Sequence, residues 1–190
     1  MQILRLDITG FPQAWLSPEQ AAPYYATDSV CWTVGDVCTS LRGGMNSVTG
    51  RQSQIDLHPI IAVRGAAQVN LFDAVPSLTN AKLFKRDRYT CAYCGNVHLR
   101  GLTRDHIVPT SKGGLDVWQN VASACRGCNA LKGSRLLQQA GMELLYTPYV
   151  PSVFEGFLLS GRHIRADVHE WLASRVSKTS RWYASTPLLN

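Results

Sequence analysis

The sequence lacks the features that would assign it to a membrane or to a repeat architecture. No apolar run is long enough, or free enough of charge, to span a bilayer. The first residues interrupt their apolar run with Arg5 and Asp7, and no signal-peptide core follows. Internal repeats and low-complexity segments are also missing. We therefore expect a cytoplasmic chain that has no membrane partner.

Acidic residues are scarce, with 13 Asp and Glu against 19 Lys and Arg and a formal net charge of +6. Residues 82–135 hold ten basic residues and three acidic ones, a formal +7. The remainder of the chain holds nine basic and ten acidic residues, a formal −1. A positive central region favours a polyanionic partner, although a basic face is often merely solvated.

Six cysteines are present, and four of them form two Cys-x-x-Cys pairs. The paired residues are Cys91, Cys94, Cys125 and Cys128. Each pair makes a tight turn that presents two thiolates to one ion, so the spacing predicts a tetrahedral structural zinc rather than disulfides. A zinc site of this kind is typical of a reducing compartment. The remaining two, Cys31 and Cys38, are predicted to be small buried apolar residues.

Strand and helix patterns are mixed along the chain, which predicts an α+β fold. In the first part, Ser17 precedes Pro18 and Gln20, a pattern that predicts a helix N-terminus. The predicted elements there are a strand at 3–8, a turn at 11–12, a helix to about residue 25, a strand at 30–34, a mobile loop or hairpin tip at 43–54, and a strand at 55–63.

The central and C-terminal parts are predicted by the same patterns. The elements are a capped helix at 81–86, a strand at 102–108, a flexible polar loop at 110–114, a strand at 120–124, a helix from about 125 to 139, and helices at 154–160 and 167–176. His163 and His169 are expected to be surface or partly packed residues. We divide the chain into an N-terminal elaboration (1–79), a core (80–140) and a C-terminal loop and helical tail (141–190).

The order of the motifs resembles the HNH (ββα-metal) endonuclease family in its four-cysteine zinc subtype. The resemblance is carried by Asp105-His106, Asn120 and Asn129 between and beside the two cysteine pairs. It covers about residues 80–135, and residues 6–16 and 139–142 are weakly similar to the flanks of small bacterial and phage members. It implies a treble-clef-like ββα-metal core and a DNA endonuclease that leaves 5′-phosphate and 3′-hydroxyl ends.

Residue chemistry agrees with these implied roles. A histidine has an ordinary pKa of about 6.5, so His106 suits the general base that takes a proton from water. Asp105 and Asn129 offer hard oxygen ligands for a catalytic metal, which acts as a Lewis acid. Asn120 is predicted to hydrogen-bond the base or its loop and so orient the imidazole; the alternative is a simple turn residue.

The sequence departs from the family name at Asn129, where many members have histidine. Asparagine also occurs in the family, as in the HNH domain of RNA-guided CRISPR nucleases, so we expect activity to be retained. Carboxylate, amide and water oxygens favour Mg²⁺ or Mn²⁺ over ions that prefer imidazole. We therefore expect a closed zinc site and a separate, open Mg²⁺ or Mn²⁺ site.

Double-stranded DNA is the expected partner, and a homodimer on DNA is a hypothesis, because one HNH site cuts one strand. The candidate phosphate contacts are Arg104, Lys112, Arg126, Lys132 and Arg135. Two alternatives remain open at this point. One is a zinc-knuckle protein that binds DNA without cutting it, and the other is a nuclease that acts on RNA.

Overall fold

The computed structural model describes residues 1–65, 75–97, 100–178 and 180–182. Within them the chain is mixed α+β, as predicted. The described residues form two compact units, and each is described by itself. Residues 1–65 and 161–175 make the first unit, and residues 75–160 (without 98–99) and 176–182 make the second. This division differs from the three predicted segments, since residues 161–175 return to the first unit.

The first unit contains a four-stranded sheet, a separate hairpin and two helices. Its elements are β1 (Ile3–Leu6), β2 (Pro12–Leu16), α1 (Pro18–Ala26), β3 (Val30–Val34), β4 (Thr39–Met45), β5 (Gln52–Leu57), β6 (Ile60–Val63) and α6 (Ala166–Ala173). The sheet order is β2-β1-β6-β3, in which β1 and β6 are parallel and the other neighbours are antiparallel. Strands β4 and β5 pair only with each other among the described residues.

Helix α1 forms where the sequence predicts it. Ser17 accepts a hydrogen bond from the backbone N–H of Gln20, and the Gln20 side chain accepts one from the backbone N–H of Ser17. This reciprocal cap satisfies two backbone donors that a helix N-terminus otherwise leaves unpaired. The helix contributes Ala21 to a core with Ile3, Leu57 and Ile61.

Several predictions for the first unit are wrong in detail. Pro12 was expected in a turn, but it begins β2, where a proline is tolerated because the first residue of a strand can lack its N–H. The strand predicted over 55–63 is two strands, β5 and β6, which are interrupted at His58 and Pro59. Cys31 is exposed and Cys38 is only half-buried, so neither is the buried apolar residue that was expected.

The predicted segment 43–54 is a hairpin rather than a loop. Its strands extend to Met45 and begin again at Gln52, which leaves residues 46–51 as the turn. Asn46 accepts hydrogen bonds from the backbone N–H groups of Val48 and Thr49 and so shapes that turn. The hairpin-tip alternative is therefore the correct one.

The second unit contains the two cysteine pairs and the predicted site residues. Its elements are α2 (Asn80–Arg86), β7 (Leu102–His106), β8 (Val121–Cys125), α3 (Arg126–Lys132), α4 (Leu137–Ala140) and α5 (Val153–Ser160). Strands β7 and β8 are antiparallel, and His106 lies opposite Val121. Leu83, Trp118, Val121 and Leu159 form the core beneath them.

A buried ion pair anchors this unit. Arg86 donates from Nε to the Asp87 carboxylate at 2.8 Å, and its other nitrogens donate to the backbone oxygens of Trp118, Val121 and Tyr149. Asp87 also accepts from the backbone N–H of Ser123 at 2.8 Å. Arginine is rarely buried unless its charge is paired, and Arg86 is fully buried here with that pairing. Helical spacing places Arg86 on the buried face of α2, where its five donors can satisfy backbone carbonyls.

The helix predicted from about 125 to 139 is interrupted. Helix α3 ends at Lys132, and Gly133 follows with φ +55° and ψ −140°, which an L side chain rarely adopts. Helix α4 then begins at Leu137 and ends before Gly141. None of the helices in the described part of the chain combines the length and the apolar character that crossing a bilayer requires.

Candidate active site and metal centre

The four paired cysteines meet at one point. Their Sγ atoms all lie within 4.8 Å of one another. Four sulfurs at the corners of a tetrahedron around zinc, with Zn–S bonds of about 2.3 Å, are separated by roughly 3.8 Å. The cluster therefore fits a structural zinc held by four thiolates.

Local structure explains how the pairs converge. In the first pair, Gly95 adopts a φ of +75° directly after Cys94, and its N–H donates to the Cys91 carbonyl at 3.0 Å. In the second, Cys125 ends β8 and Cys128 lies in the first turn of α3, with its N–H donating to the Cys125 sulfur at 3.4 Å. Each turn presents two sulfurs on the same side.

The surroundings of Cys91 favour a thiolate. Burial alone would raise the pKa of Cys91, but hydrogen bonds from the backbone N–H groups of Cys94, Cys125 and Tyr93 outweigh it. Together they lower the pKa of Cys91 to about 7. A thiolate is the form that binds a metal.

His106, the predicted base, contacts a carboxylate that the sequence did not single out. Its Nε2 lies 2.9 Å from Oδ1 of Asp116. Arg104 donates from Nη1 to both oxygens of the same carboxylate, at 2.6 and 2.8 Å. These hydrogen bonds, that from Arg104 first, lower the pKa of Asp116 although some burial opposes them. Asp116 is therefore an ionised partner for the imidazole.

Asp105 points to the other side of β7, as the alternation of a strand predicts. The residue is 4% exposed. Oδ1 accepts a hydrogen bond from Nζ of Lys132 at 2.9 Å, and Oδ2 accepts one from the Tyr93 hydroxyl. Tyr93 is half-buried and its phenol lies beside this carboxylate; desolvation and the carboxylate raise the pKa of Tyr93, so the phenol stays a donor.

Asp105, His106 and Asn129 line one cleft of about 240 Å³. Asn129 is fixed by a hydrogen bond from its Nδ2 to Oγ1 of Thr103 at 2.8 Å, which leaves the amide oxygen as its acceptor. Each carboxylate oxygen of Asp105 has a second lone pair beyond the hydrogen bond that it already accepts. The donor set is therefore two hard oxygens, which suits Mg²⁺ or Mn²⁺.

Asn120 contacts the loop and not the imidazole. Its Oδ1 accepts from the backbone N–H of Val108 at 2.9 Å. Its Nδ2 donates to the carbonyls of Val108 and Leu115, at 3.0 and 2.8 Å. Of the two partners predicted for Asn120, the base or its loop, these hydrogen bonds involve the loop.

The loop that Asn120 closes contains a hydrogen-bonded turn, where a flexible polar loop was predicted at 110–114. Thr110–Lys112 form a 3₁₀ turn, and the N–H of Gly114 donates to the Pro109 carbonyl at 3.0 Å. A Cβ added at Gly114 would lie 1.7 Å from the Val108 oxygen, so only glycine fits there.

The predicted phosphate contacts fall into different environments. Lys112, Arg126 and Arg135 are exposed and remain available to a polyanion. Arg104 is half-buried and bonded to Asp116 and to Asn80. Lys132 is fully buried, so its prediction as a surface phosphate contact is corrected: its ammonium binds Asp105 and the His106 carbonyl.

Asp116 and Tyr93 are the residues that sequence reasoning missed. Asp116 lies ten positions after His106 in an irregular segment, so no strand or helix period connects the two. Tyr93 occupies a variable position inside the first Cys-x-x-Cys pair, where the motif itself gives it no role. Only the tertiary structure brings these groups to the histidine and aspartate. The closed loop carries Asp116, and the turn of the first cysteine pair, whose Ala92 N–H donates to the Ser123 carbonyl on β8, carries Tyr93.

Comparison with known families agrees with this geometry. Residues 91–145 match the sequence model of a family described as HNH endonuclease. The matched range contains both cysteine pairs and all of the predicted catalytic and metal-binding residues. The resemblance inferred from the sequence is thereby confirmed over this segment, and it supports a nuclease of the HNH type. No curated protein and no solved structure matches the chain.

Proposed function

We propose that this chain is an HNH endonuclease that hydrolyses phosphodiester bonds of double-stranded DNA, with His106 as general base. The observation that carries the proposal is the shared cleft of Asp105, His106 and Asn129 beside a four-cysteine cluster. A ββα-metal core is part of the proposal, and the consecutive elements β7, β8 and α3 support it.

Asp105 and Asn129 are the residues that would hold a catalytic Mg²⁺ or Mn²⁺. When bound, such an ion neutralises charge on the phosphate and on the leaving oxygen. A zinc held by the four cysteines would have no open position and would be structural. The two metals would therefore have separate ligand sets and separate tasks.

His106 would take the proton of the attacking water. The water oxygen forms a new bond to phosphorus, and the bond between phosphorus and the 3′-oxygen breaks. The leaving 3′-oxygen takes a proton from solvent, so the products carry a 5′-phosphate and a 3′-hydroxyl. Exposed Lys112, Arg126 and Arg135 would contact neighbouring phosphates, and their contribution would weaken with added salt.

The experiment is cleavage of supercoiled plasmid by the zinc-loaded protein, with Mg²⁺, Mn²⁺ or EDTA. We expect metal-dependent nicking that His106→Ala abolishes. Because EDTA also competes for zinc, bound zinc is measured in the same samples. The matched control is His163→Asn, since His163 is exposed and asparagine tolerates its φ of +50°.

Two outcomes would reject the proposal. Cleavage that survives His106→Ala would remove the general base from His106. DNA binding without cleavage under any divalent metal would instead support a zinc-knuckle binding protein.

Competition between duplex DNA and RNA in the same assay tests the substrate class. Sedimentation on a cleavable duplex tests the proposed homodimer, and a monomeric cleaving complex would reject it.

A further inference from the structure

Asp116 contacts His106, the candidate base, and lies on the loop that Asn120 closes. It receives His106 Nε2 on Oδ1 at 2.9 Å, and Arg104 binds both of its oxygens. Arg104 is itself fixed by a 2.8 Å hydrogen bond from Nε to Asn80 Oδ1. The carboxylate is therefore held from one side by a fixed guanidinium and offers its remaining acceptor capacity to the imidazole.

The backbone around Asp116 is fixed from the other side. Asn120 donates to the carbonyl of Leu115, the residue directly before Asp116, and brackets Val108 with two further hydrogen bonds. The close approach of Gly114 to the Val108 carbonyl closes the same loop. These contacts hold the loop, and with it the Asp116 carboxylate, at one position relative to β7, although the Asp116 side chain is half exposed.

The chemistry of the pair assigns the proton on the imidazole. A carboxylate bonded to a guanidinium is ionised and can only accept hydrogen bonds. The 2.9 Å contact therefore requires that Nε2 of His106 carries hydrogen and donates it. In neutral imidazole one nitrogen is a donor and the other an acceptor, so Nδ1 is left as the proton acceptor.

We propose that Asp116 is a positioning residue that holds His106 in the Nε2–H tautomer and so assigns the role of base to Nδ1. The inference rests on the proposed function, in which His106 is the base. Asn120 then acts on the imidazole indirectly. It holds the Leu115 carbonyl, which fixes the adjacent Asp116, and Asp116 in turn contacts His106.

The test compares Asp116→Asn and Asp116→Glu with the wild-type protein, all loaded with zinc. An amide both donates and accepts, so Asp116→Asn removes the preference for hydrogen on Nε2, whereas Asp116→Glu keeps an acceptor-only carboxylate. The first readout is the ¹⁵N NMR spectrum of histidine-labelled protein above the histidine pKa, without Mg²⁺ and without DNA. The His106 signals are identified by their loss in His106→Ala.

We expect the Nε2–H tautomer in the wild-type protein and a mixture of tautomers in Asp116→Asn. The cleavage kcat of Asp116→Asn should fall by roughly 10-fold or more, at least the range known for partners that orient metal-binding histidines, with KM little changed. Asp116→Glu should restore much of the Nε2–H tautomer and much of the cleavage kcat. The matched control is Asp36→Asn, because Asp36 is exposed and belongs to the first unit.

Each contrary result has its own meaning. An unchanged tautomer in Asp116→Asn, or an unchanged kcat while His106→Ala is inactive, overturns the positioning role and leaves the proposed function intact. Faster cleavage or tighter DNA binding by Asp116→Asn also overturns the positioning role. In that case the Asp116 carboxylate would be blocking Arg104 and His106 from binding a DNA phosphate. Full activity of His106→Ala overturns the proposed function itself.

Discussion

The ammonium of Lys132 donates a 2.9 Å hydrogen bond to Oδ1 of Asp105 and a 2.6 Å hydrogen bond to the backbone oxygen of His106. One buried cation from α3 thus fixes both residues of the Asp-His motif on β7. The same ammonium would lie close to any metal held by Asp105 and would weaken its binding by charge repulsion. Lys132 therefore links the stability of this region to the candidate catalytic centre.

Lys132→Met should destabilise the protein strongly, because it leaves the Asp105 carboxylate buried without its cation. Breaking one side of a buried pair of this kind costs about 3–5 kcal/mol. Urea unfolding of the zinc-loaded protein measures the difference. Lys112→Met is the matched control, since Lys112 is exposed on a 3₁₀ turn, and its free energy of unfolding should barely change. Equal stabilities of the two variants would contradict the structural role of Lys132.

Cys125→Ser should release zinc and unfold the second unit, because the free energy of binding a structural zinc is also free energy of folding. The measurements are bound zinc per chain and the melting temperature. Cys31→Ser is the matched control: Cys31 is exposed and outside the cluster, so zinc content and melting temperature should stay at wild-type values. A Cys125→Ser protein that lacks zinc yet melts normally would refute the zinc assignment.

Arg86→Lys should destabilise the second unit although it keeps the positive charge. Lysine has three donors on one atom and cannot reach Asp87 and the carbonyls of Trp118, Val121 and Tyr149 together. Each buried acceptor left unpaired costs about 1–3 kcal/mol. Chemical unfolding measures the loss, and Arg126→Lys at an exposed position is the control. A loss of stability no larger than that of Arg126→Lys would argue against Arg86 as the shared donor to Asp87 and these three carbonyls.

Asn120→Asp should impair cleavage more than it impairs folding. The carboxylate keeps an acceptor for the Val108 N–H but cannot donate to the carbonyls of Val108 and Leu115. The loop that carries Asp116 then loses its anchor, and kcat should fall by about tenfold or more. Steady-state cleavage with Mg²⁺ measures this. Wild-type kcat in Asn120→Asp would leave Asn120 as a simple turn residue.

Glu155 predicts a pH dependence of stability. It is buried in α5 beside Tyr149, whose hydroxyl donates to it, and burial raises the pKa of Glu155 above its ordinary value. A raised pKa in the folded state means that Glu155 contributes stability while it is protonated and loses that contribution as pH rises through the folded-state pKa.

Glu155→Gln cannot ionise, so its stability relative to the wild type should increase as the pH rises above the ordinary glutamate value. The measurement is the difference in melting temperature between the two proteins across acidic and neutral pH. Both proteins share the pH dependence of zinc binding, so this dependence cancels in the difference between their melting temperatures. A difference that is independent of pH, or that shrinks with rising pH, would contradict the assignment.

The local signals in the sequence were reliable where one short segment decides the outcome. The Ser17 cap, the two cysteine turns and the alternation of Asp105 and His106 each depend on neighbours within a few residues. The family resemblance also lies in this class, because its motif is written in fixed spacings and residues 91–145 match it. Mixed α+β architecture followed from the same local periods.

Predictions failed where a long-range contact overrides a local preference. Arg86 and Lys132 look like solvated cations on short helices, yet both are fully buried, because backbone carbonyls distant in sequence accept from Arg86 and the distant Asp105 carboxylate accepts from Lys132. The helix expected to reach residue 139 ends at Lys132, where Gly133 adopts an unusual backbone conformation. Cys31 appeared apolar by composition but lies at an exposed position on β3.

The sequence by itself determined the chemistry that is available: four thiolates in two pairs, an aspartate and a histidine side by side, and two asparagines at family spacing. Only the tertiary structure decided which groups meet. Asp116 reaches His106, Tyr93 and Lys132 reach Asp105, and Asn120 reaches the loop rather than the imidazole. The physical reason is that hydrogen bonds act over about 3 Å, whereas their partners here are 5 to 27 positions apart along the chain.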